Sequence, residues 1–440
     1  MSTENMPDIS FFVGIDWATE THEICVLDAT GAEVKRRSVE HSGVAVHKFI
    51  EWLSDKAQTA PERVAVAIEV PRGALVEGML ERGFRVFSIN PKQVDRFRDR
   101  FFPSGAKDDS KDAFVLAHCL MTDPACYREA QVDDPVVMQI REHVRMHEEL
   151  KRERNRLTNQ FRNQLLRYFP ELLSLCSSVD EPWFLDLVEL APVPDRARRL
   201  QLRTVVKLLR KHRIRRLDPE EVVKVLRARP LRLAHGSVEA ASAHVELLIP
   251  RIRLACQQAA LVRKRLDTLL SVVADPEVDE AEAEVDEAEE REHRDVDIIL
   301  SLPGAGTIIT ATMLGEAEGA IRDRDYNALR AHGGLAPVTR QTGKQRHGKS
   351  SRRKPHVMMR RAANGRLRNA FYNMARVASI FDPPSKAYYQ RLRGAGHSHG
   401  RALRTVGDRL LRILIAMLRS DTLYDLSRFE RTDQKENQAA

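Results

Sequence analysis

Two short apolar runs in the first seventy residues, FFVGI (11–15) and VAVAI (64–68), each lead straight into a carboxylate, Asp16 and Glu69. Apolar runs of this length, rich in Val, Ile and Phe, read as buried strands. An ionised acid at the end of such a strand has to be solvated, paired or coordinated, because burial without a partner is costly. Two neighbouring strands that each present one carboxylate, joined by acids from a helix, make an oxygen-rich pocket suited to magnesium or manganese. Two such ions roughly 4 Å apart can stabilise the attacking and leaving oxygens of a phosphoryl transfer. A third acidic element is available in GAKDDSKDA (105–113), which holds Asp108, Asp109 and Asp112. On a helix, Asp108 and Asp112 are spaced i,i+4 and Asp109 and Asp112 i,i+3. Either pair can share a face, so spacing alone does not choose between them.

The surrounding pattern predicts an α/β domain followed by helices. EICVLDA (23–29) and AEVKRRSV (32–39) follow the first strand at hairpin distance, with Thr30-Gly31 as turn chemistry. A helix over 43–56, a strand over 63–70, a helix near 73–82 and a strand over 84–90 come next, and Pro91 suits the first turn of a further helix. Three strands in series, then strands alternating with helices, predict a mixed sheet with flanking helices. From about 135 to 290 the periodicity is helical. Leu150, Leu157, Phe161, Leu165 and Tyr168, and later Val262, Leu266, Leu269 and Val273, recur at helical steps, which fits a coiled-coil arm or hairpin and equally an ordinary helical subdomain. In the last third, LPGAG (302–306) before a helical run has the look of a helix-hairpin-helix, in which glycines admit a phosphate to a helix N-terminus; a plain tight αα turn reads the same. Helices are expected over 357–380 and 401–419, and the tail TDQKENQAA is expected to be disordered.

Charge is segregated along the chain. Lys and Arg outnumber Asp and Glu by 71 to 63, but from Tyr326 to Phe381 there are thirteen basic residues and no acid, and from Pro194 to Leu233 fourteen basic residues against four acids. Asp275 to Glu290 reverses this with ten acids and no base, which reads as a solvated helix or linker. One basic run is usually a solvated face, whereas two separate blocks are the footprint of a nucleic-acid binder. The five cysteines are scattered without a CxxC pair, which argues against a disulfide framework or a zinc site. His143 and His147 lack companion ligands and read as helix-surface residues. No apolar run approaches the roughly 18 residues of a spanning helix, and the polar MSTENMPDIS start lacks signal-peptide character, so a cytoplasmic protein without membrane contact is expected.

In combination these motifs carry a resemblance. GIDWA (14–18), IEVPRG (68–73) and INPKQV followed by AKDDSKDA resemble the RuvC-like, RNase H-fold N-terminal domain of insertion-sequence transposases with a DEDD motif, recombinases guided by a structured bridge RNA. LPGAGTIITATMLGE, AHGGLAPVTRQTGK, RRAANGRLRNAFYNMAR and RALRTVGDRLLRILIAML are similar to that family's C-terminal transposase domain. The resemblance covers about 11–128 and 296–425. It implies a catalytic domain at 1–128, a helical, dimerising region at 129–295, a transposase domain at 296–425 and a tail at 426–440. Within the family the third acidic element reads Lys-Thr-Asp-x-x-Asp-Ala. The match therefore assigns Asp16, Glu69, Asp109 and Asp112 as the acids that bind Mg2+ or Mn2+, and puts Asp108 at the threonine position, where either residue can cap a helix N-terminus.

The same resemblance implies a serine nucleophile in a Ser-Gly pair shortly after an Ala-Pro. Here Ala336-Pro337 is followed by Gln341-Thr342-Gly343, so Thr342 takes that place, with Ser350 and Ser351 as substitutes downstream. A threonine hydroxyl can attack a phosphate when activated, although its β-methyl stiffens χ1 and crowds the approach. Arg340, Lys344, Arg346, Lys349, Arg352, Arg353, Lys354, Arg361 and Arg368 would neutralise phosphates, positioning DNA without reading it. No helix-turn-helix or zinc-finger reader is evident. Donor and target DNA, a guide RNA and a dimeric or tetrameric assembly are the implied partners. Two other readings remain open from the residues: a RuvC-type endonuclease with water as nucleophile, and a nucleic-acid-binding protein that has lost catalysis. The cap assignment predicts that Asp108→Asn is mild, whereas Asp112→Asn abolishes metal-dependent DNA cleavage in a nicking assay; equal damage from both contradicts it.

Overall fold

The two apolar runs that end in carboxylates lie side by side in one sheet. The computed structural model describes residues 6, 8–57, 61–69, 73–89, 91–101, 109–130, 134–229, 231, 233–234, 236–274, 287–340, 356–360 and 362–427, with backbone alone at 56–57, 91–92, 109, 287–293, 339–340 and 356–357. The chain forms two units, Met1–Asp134 and Pro135–Ala440.

In the first unit β1 (Phe11–Asp16), β2 (Thr21–Asp28) and β3 (Glu33–Glu40) form an antiparallel meander, as the Thr30-Gly31 turn predicts. Helix α1 (Gly43–Ala57) leads to β4 (Val64–Ile68), and α2 (Ala74–Leu80) leads to β5 (Arg85–Ser88). Both crossovers return parallel, so β4 pairs with β1 and β5 with β4. Then come α3 (Pro91–Phe101), α4 (Asp109–Thr122) and an antiparallel edge strand, β6 (Arg128–Glu129), too short to register as a sequence pattern. The sheet order is β3-β2-β1-β4-β5-β6. Burial explains the order. All five residues of β4 are buried, as suits a central strand covered on both faces. Only Val39 is buried on β3, whose charged EVKRRSVE sequence blunts an open edge.

Side chains alternate across the sheet. Val13, Ile15, Val66 and Ile68 pack with Phe49, Leu53, Leu75 and Met79 of α1 and α2 on one face. Phe12, Cys25, Ala65 and Ala67 pack with Ala113, Leu116, Ala117 and Leu120 of α4 on the other. Gly14 lies on this second face, and a Cβ built there would sit 1.9 Å from the Ala113 carbonyl oxygen and 2.6 Å from the Ala117 nitrogen. Helix α4 therefore rests directly on the β1 backbone. No other residue fits at position 14 without moving the helix.

The second unit is helical. Its first helix, α5 (Pro135–Tyr168), leads into four short ones, α6 (Pro182–Leu190), α7 (Pro194–Arg198), α8 (Leu202–Lys211) and α9 (Pro219–Leu226), and α10 (Ser237–Ala274) returns along α5. The pairing is antiparallel: Phe161 and Leu165 share a core with Leu248 and Ile252, while Ile140 and Val144 share another with Leu266 and Leu270. A long helical hairpin and a helical subdomain both exist, because α6–α9 build a separate core at the far end around Trp183 and Phe184. Asp186 of α6 ties that end together, accepting hydrogen bonds from Lys211 (2.7 Å), His212 (2.7 Å) and Arg253 (2.7 Å). Burial opposes its charge, but these bonds prevail and hold its carboxyl well below the ordinary range.

The near end of the hairpin packs on α11 (Glu287–Ser301), α12 (Thr307–Arg322), α13 (Tyr326–His332), α14 (Gly365–Phe381), α15 (Pro383–Gly394) and α16 (His399–Ser420), between which β7 (Pro337–Arg340) and β8 (His356–Met359) form a two-stranded ribbon. The helix expected over 357–380 is a correction: residues 356–359 pair as a strand, and Asn364 caps α14 by accepting from the amides of Arg366 and Leu367. In LPGAG, Gly304 has φ +82°, and its missing Cβ faces the Met374 carbonyl at 2.5 Å. That glycine serves the packing of the α11–α12 turn on α14. No described helix is long and apolar enough to cross a membrane.

Candidate active site

The register of β1 and β4 brings the first two acids together. Gly14 pairs with Ala67 and Ile15 with Ile68, so Asp16 and Glu69 occupy the next step, at the same end of adjacent parallel strands about 5 Å apart in backbone. Alternation points both toward the α4 face, since Phe12, Gly14 and Asp16 share a side, as do Ala65, Ala67 and Glu69. Both are half-buried. Asp112 immediately precedes Ala113, the residue whose carbonyl lies over Gly14, and it is 3% exposed. The contact between α4 and β1 thus delivers Asp112 to the end of the sheet where Asp16 and Glu69 stand.

Asp112 is not alone there. The Arg98 guanidinium of α3 grips it with two parallel hydrogen bonds, from Nε to Oδ1 and from Nη2 to Oδ2 (2.8 Å), and lies 3.3 Å from Asp95. Burial weakens the Arg98 charge, but Asp112, Asp95 and Glu69 outweigh it and raise its proton affinity above the ordinary arginine value. Arg98 consequently stands in the field of two of the sequence-assigned acids. Position 98 lies fourteen residues from Asp112 within a helix of mixed charge, and no local spacing marks it. Among the described residues no three carboxylate, imidazole or thiol side chains are gathered closely enough to hold a metal ion. The donor chemistry of Asp16, Glu69 and Asp112 is nevertheless all carboxylate oxygen, which fits a hard divalent cation. With both oxygens on Arg98, Asp112 could join such a set by yielding one of those bonds. Asp109 opens α4 by its backbone, its side chain lying outside the described atoms, and Asp108 lies outside the described residues.

Beside these acids is an aromatic cluster that sequence reasoning missed. Trp17 follows Asp16, is 44% exposed and stacks on His22 at 6.1 Å. His22 is fully buried, and its Nε2 lies 2.9 Å from His41 Nδ1. Burial, then the neighbouring His41, lowers the His22 pKa.

In the second unit, most of the basic segment lies outside the described residues. Thr342, Ser350, Ser351, Lys344, Arg346, Lys349, Arg352, Arg353, Lys354 and Arg361 lie outside the described residues, and Arg340 is described by backbone alone. Arg340 pairs with His356 at the end of the β7–β8 ribbon, which fixes the two ends of segment 341–355 next to each other. Arg368 is half-buried on α14. A second missed feature holds this ribbon's root. Glu316 and Glu318, buried on α12, flank Ala317, whose φ of −144° and ψ of 25° break the helix. Glu316 accepts from Asn364 (2.6 Å), Arg366 (3.3 Å) and Arg145 (3.3 Å), and Glu318 pairs with Arg141 (3.4 Å). Acids at 316 and 318 inside an apolar helix are a sequence signal for such a network, since buried charges must be paired.

Two family models match the chain: one described as a transposase, with the DEDD label, over residues 13–170, and one described as "Transposase IS116/IS110/IS902 family" over residues 296–390. The "Mini-circle putative transposase for IS117" of Streptomyces coelicolor is 30% identical over 96% of each chain. The "Putative transposase y4uE" of Sinorhizobium fredii is 49% identical over 46% of this chain and 57% of its own length. The "Insertion element IS900 uncharacterized 42 kDa protein" of Mycobacterium paratuberculosis is 26% identical over 94% of this chain and 96% of its own.

Removing one partner of a buried pair strands the other charge. Arg98→Gln should therefore lower unfolding free energy by about 3 kcal/mol in a denaturant titration. A variant as stable as the parent would mean that the Arg98–Asp112 pair contributes nothing.

Proposed function

The chain belongs to the IS110/IS116/IS902 family of insertion-sequence transposases, DNA-recombining enzymes, and on that premise we propose how its residues recombine DNA. The first unit acts as an RNase H-like, DEDD-type catalytic domain in which Asp16, Glu69, Asp109 and Asp112 hold Mg2+ or Mn2+. The observation that supports this reading is the placement of Asp16 and Glu69 at neighbouring parallel strand ends, with Asp112 one residue before the contact of α4 on Gly14. When bound, the metal would supply Lewis-acid stabilisation of charge on the reacting phosphate.

The nucleophile is the hydroxyl of Thr342. Its oxygen forms a bond to a DNA phosphorus while the bond to one strand's oxygen breaks, and the hydroxyl proton is balanced by protonation of the departing strand. The phosphoester count is unchanged, so the strand can be rejoined without a fresh energy source. Arg340, Lys344, Arg346, Lys349, Arg352, Arg353, Lys354, Arg361 and Arg368 neutralise phosphates near this hydroxyl. Because such contacts position DNA without reading it, a structured bridge RNA pairing with donor and target is the source of sequence choice.

The working form is a homo-oligomer. Its support is an outward stripe on α10, where Leu247, Leu254 and Leu261 recur every seven residues and are 69%, 54% and 52% exposed. A heptad of exposed leucines is the seam that a second helix covers in a coiled coil.

One observation favours a second reading: threonine stands where the resembled pattern has serine. A RuvC-type endonuclease using water needs the four acids and not Thr342. Incubating the protein with Mg2+, flanking RNA and labelled element-end DNA separates the two. The transposase mechanism predicts a denaturation-resistant protein–DNA adduct that Thr342→Ala abolishes and Thr342→Ser retains. Undiminished cleavage by Thr342→Ala, without any adduct, would establish the hydrolytic reading instead.

A further inference from the structure

The second basic block, Pro194–Leu233, has no part in the chemistry above. Between Arg196 and Arg216 it holds ten Lys or Arg and no acid. Helix α8 divides this sequence into two faces. Val205, Leu208 and Leu209 are buried in the core that α6–α9 build at the end of the helical hairpin. Arg203, Lys207 and Arg210, spaced i, i+4 and i+7, line the outward face, all exposed, along an open trough whose other lining residues are Leu202 and Val206. None of the three makes an ion pair or side-chain hydrogen bond among the described residues.

An exposed helix in this same protein shows what an ordinary solvated face looks like. On α5, Glu148 pairs with Lys151 and Arg152, and Glu153 with Arg156. Opposite charges interleave there at i,i+3 and i,i+4 and satisfy one another. On α8 the same spacings bring like charges together, a repulsive arrangement that an external polyanion relieves. The flanking Arg199 and Arg213 are also exposed and extend the stripe beyond both ends of the helix. From Arg203 to Arg210 the helix rises about 10 Å, close to the axial rise of three phosphate-to-phosphate steps at ~3.4 Å each on one DNA strand.

We propose that the outward face of α8, with Arg203, Lys207 and Arg210 at its centre, is a second DNA-binding surface that holds the phosphate backbone of a duplex through residues outside the proposed catalytic set. Its cations contact phosphates in this reading, so it binds any duplex sequence and contributes affinity rather than choice. The proposal rests on the reading of the protein as a DNA transposase only for its choice of DNA as the polyanion.

The test measures binding alone, with the full chain, a chelator present and no chemistry. Fluorescence anisotropy would follow a labelled element-end DNA duplex and a duplex RNA of the same length across a salt series. Arg203→Gln/Lys207→Gln/Arg210→Gln should weaken DNA binding at least tenfold near physiological salt. It should also flatten the slope of log affinity against log salt by about 2 to 3, since each lost phosphate contact removes roughly 0.9. A second measurement needs no variant: in the parent protein, duplex DNA should protect Lys207 from amine acetylation and leave Lys264 of α10 reactive. Unchanged affinity and slope, or an unprotected Lys207, would overturn the proposal. Loss of RNA binding with DNA binding intact would overturn the choice of DNA. Because no strand is cut in this assay, absence of the Thr342 adduct would count against the catalytic reading and leave this result untouched.

Discussion

The contact between α4 and the backbone of β1 at Gly14 is the constraint on which the first unit depends. A helix can approach a strand so closely only where the strand has no side chain, and the 1.9 Å gap between a notional Cβ and the Ala113 oxygen measures how little room remains. The neighbours follow the same rule: Ala65 and Ala67 on β4, and Ala113 and Ala117 on α4, are small and buried. Small residues at this interface set the height of α4 above the sheet. That height places Asp112, one residue before Ala113, at the level where β1 and β4 run out into Asp16 and Glu69.

Asp112, buried at this level, is paired with Arg98. Its guanidinium satisfies both oxygens of Asp112 and feels the charge of Glu69. A planar, permanently charged fork is suited to this duty, since it pairs with a carboxylate in two parallel bonds and cannot shed its proton to escape. The second unit uses the same chemistry at the root of the β7–β8 ribbon. There Glu316, held by Asn364, Arg366 and Arg145, ties α5, α12 and the start of α14 together where α12 breaks at Ala317. In both units buried acid–arginine pairing holds neighbouring elements together.

Much of this was legible before any coordinates. The strand-end acids were visible because an acid closing an apolar run breaks a simple pattern, and the meander was marked by Thr30-Gly31. The order of strands and helices followed from period-two and helical spacing. What stayed hidden were pairings distant in sequence or weak in pattern: Arg98 with Asp112, the two-residue strand β6, and the ribbon partner at 356–359, where the short HVMM run stands a few residues before a good helix sequence. Asn364 was the available signal for that boundary, an Asn directly ahead of the periodic run. The helical middle satisfied two readings at once, since a long hairpin and a separate core at its far end leave similar periodicities. The family resemblance supplied what spacing could not, the choice of Asp109 with Asp112 over Asp108.

The central proposal is that Asp16, Glu69 and Asp112, from separate elements, bind the same metal ion. The direct measurement is Mn2+ binding to the intact protein, followed by electron paramagnetic resonance as free ion is lost from solution. Bound Mn2+ should fall sharply with Asp16→Asn, with Glu69→Gln and with Asp112→Asn, each alone, and Mg2+ should compete for the site. Binding that survives all three substitutions unchanged would contradict the account, because the ion would then be held by other residues.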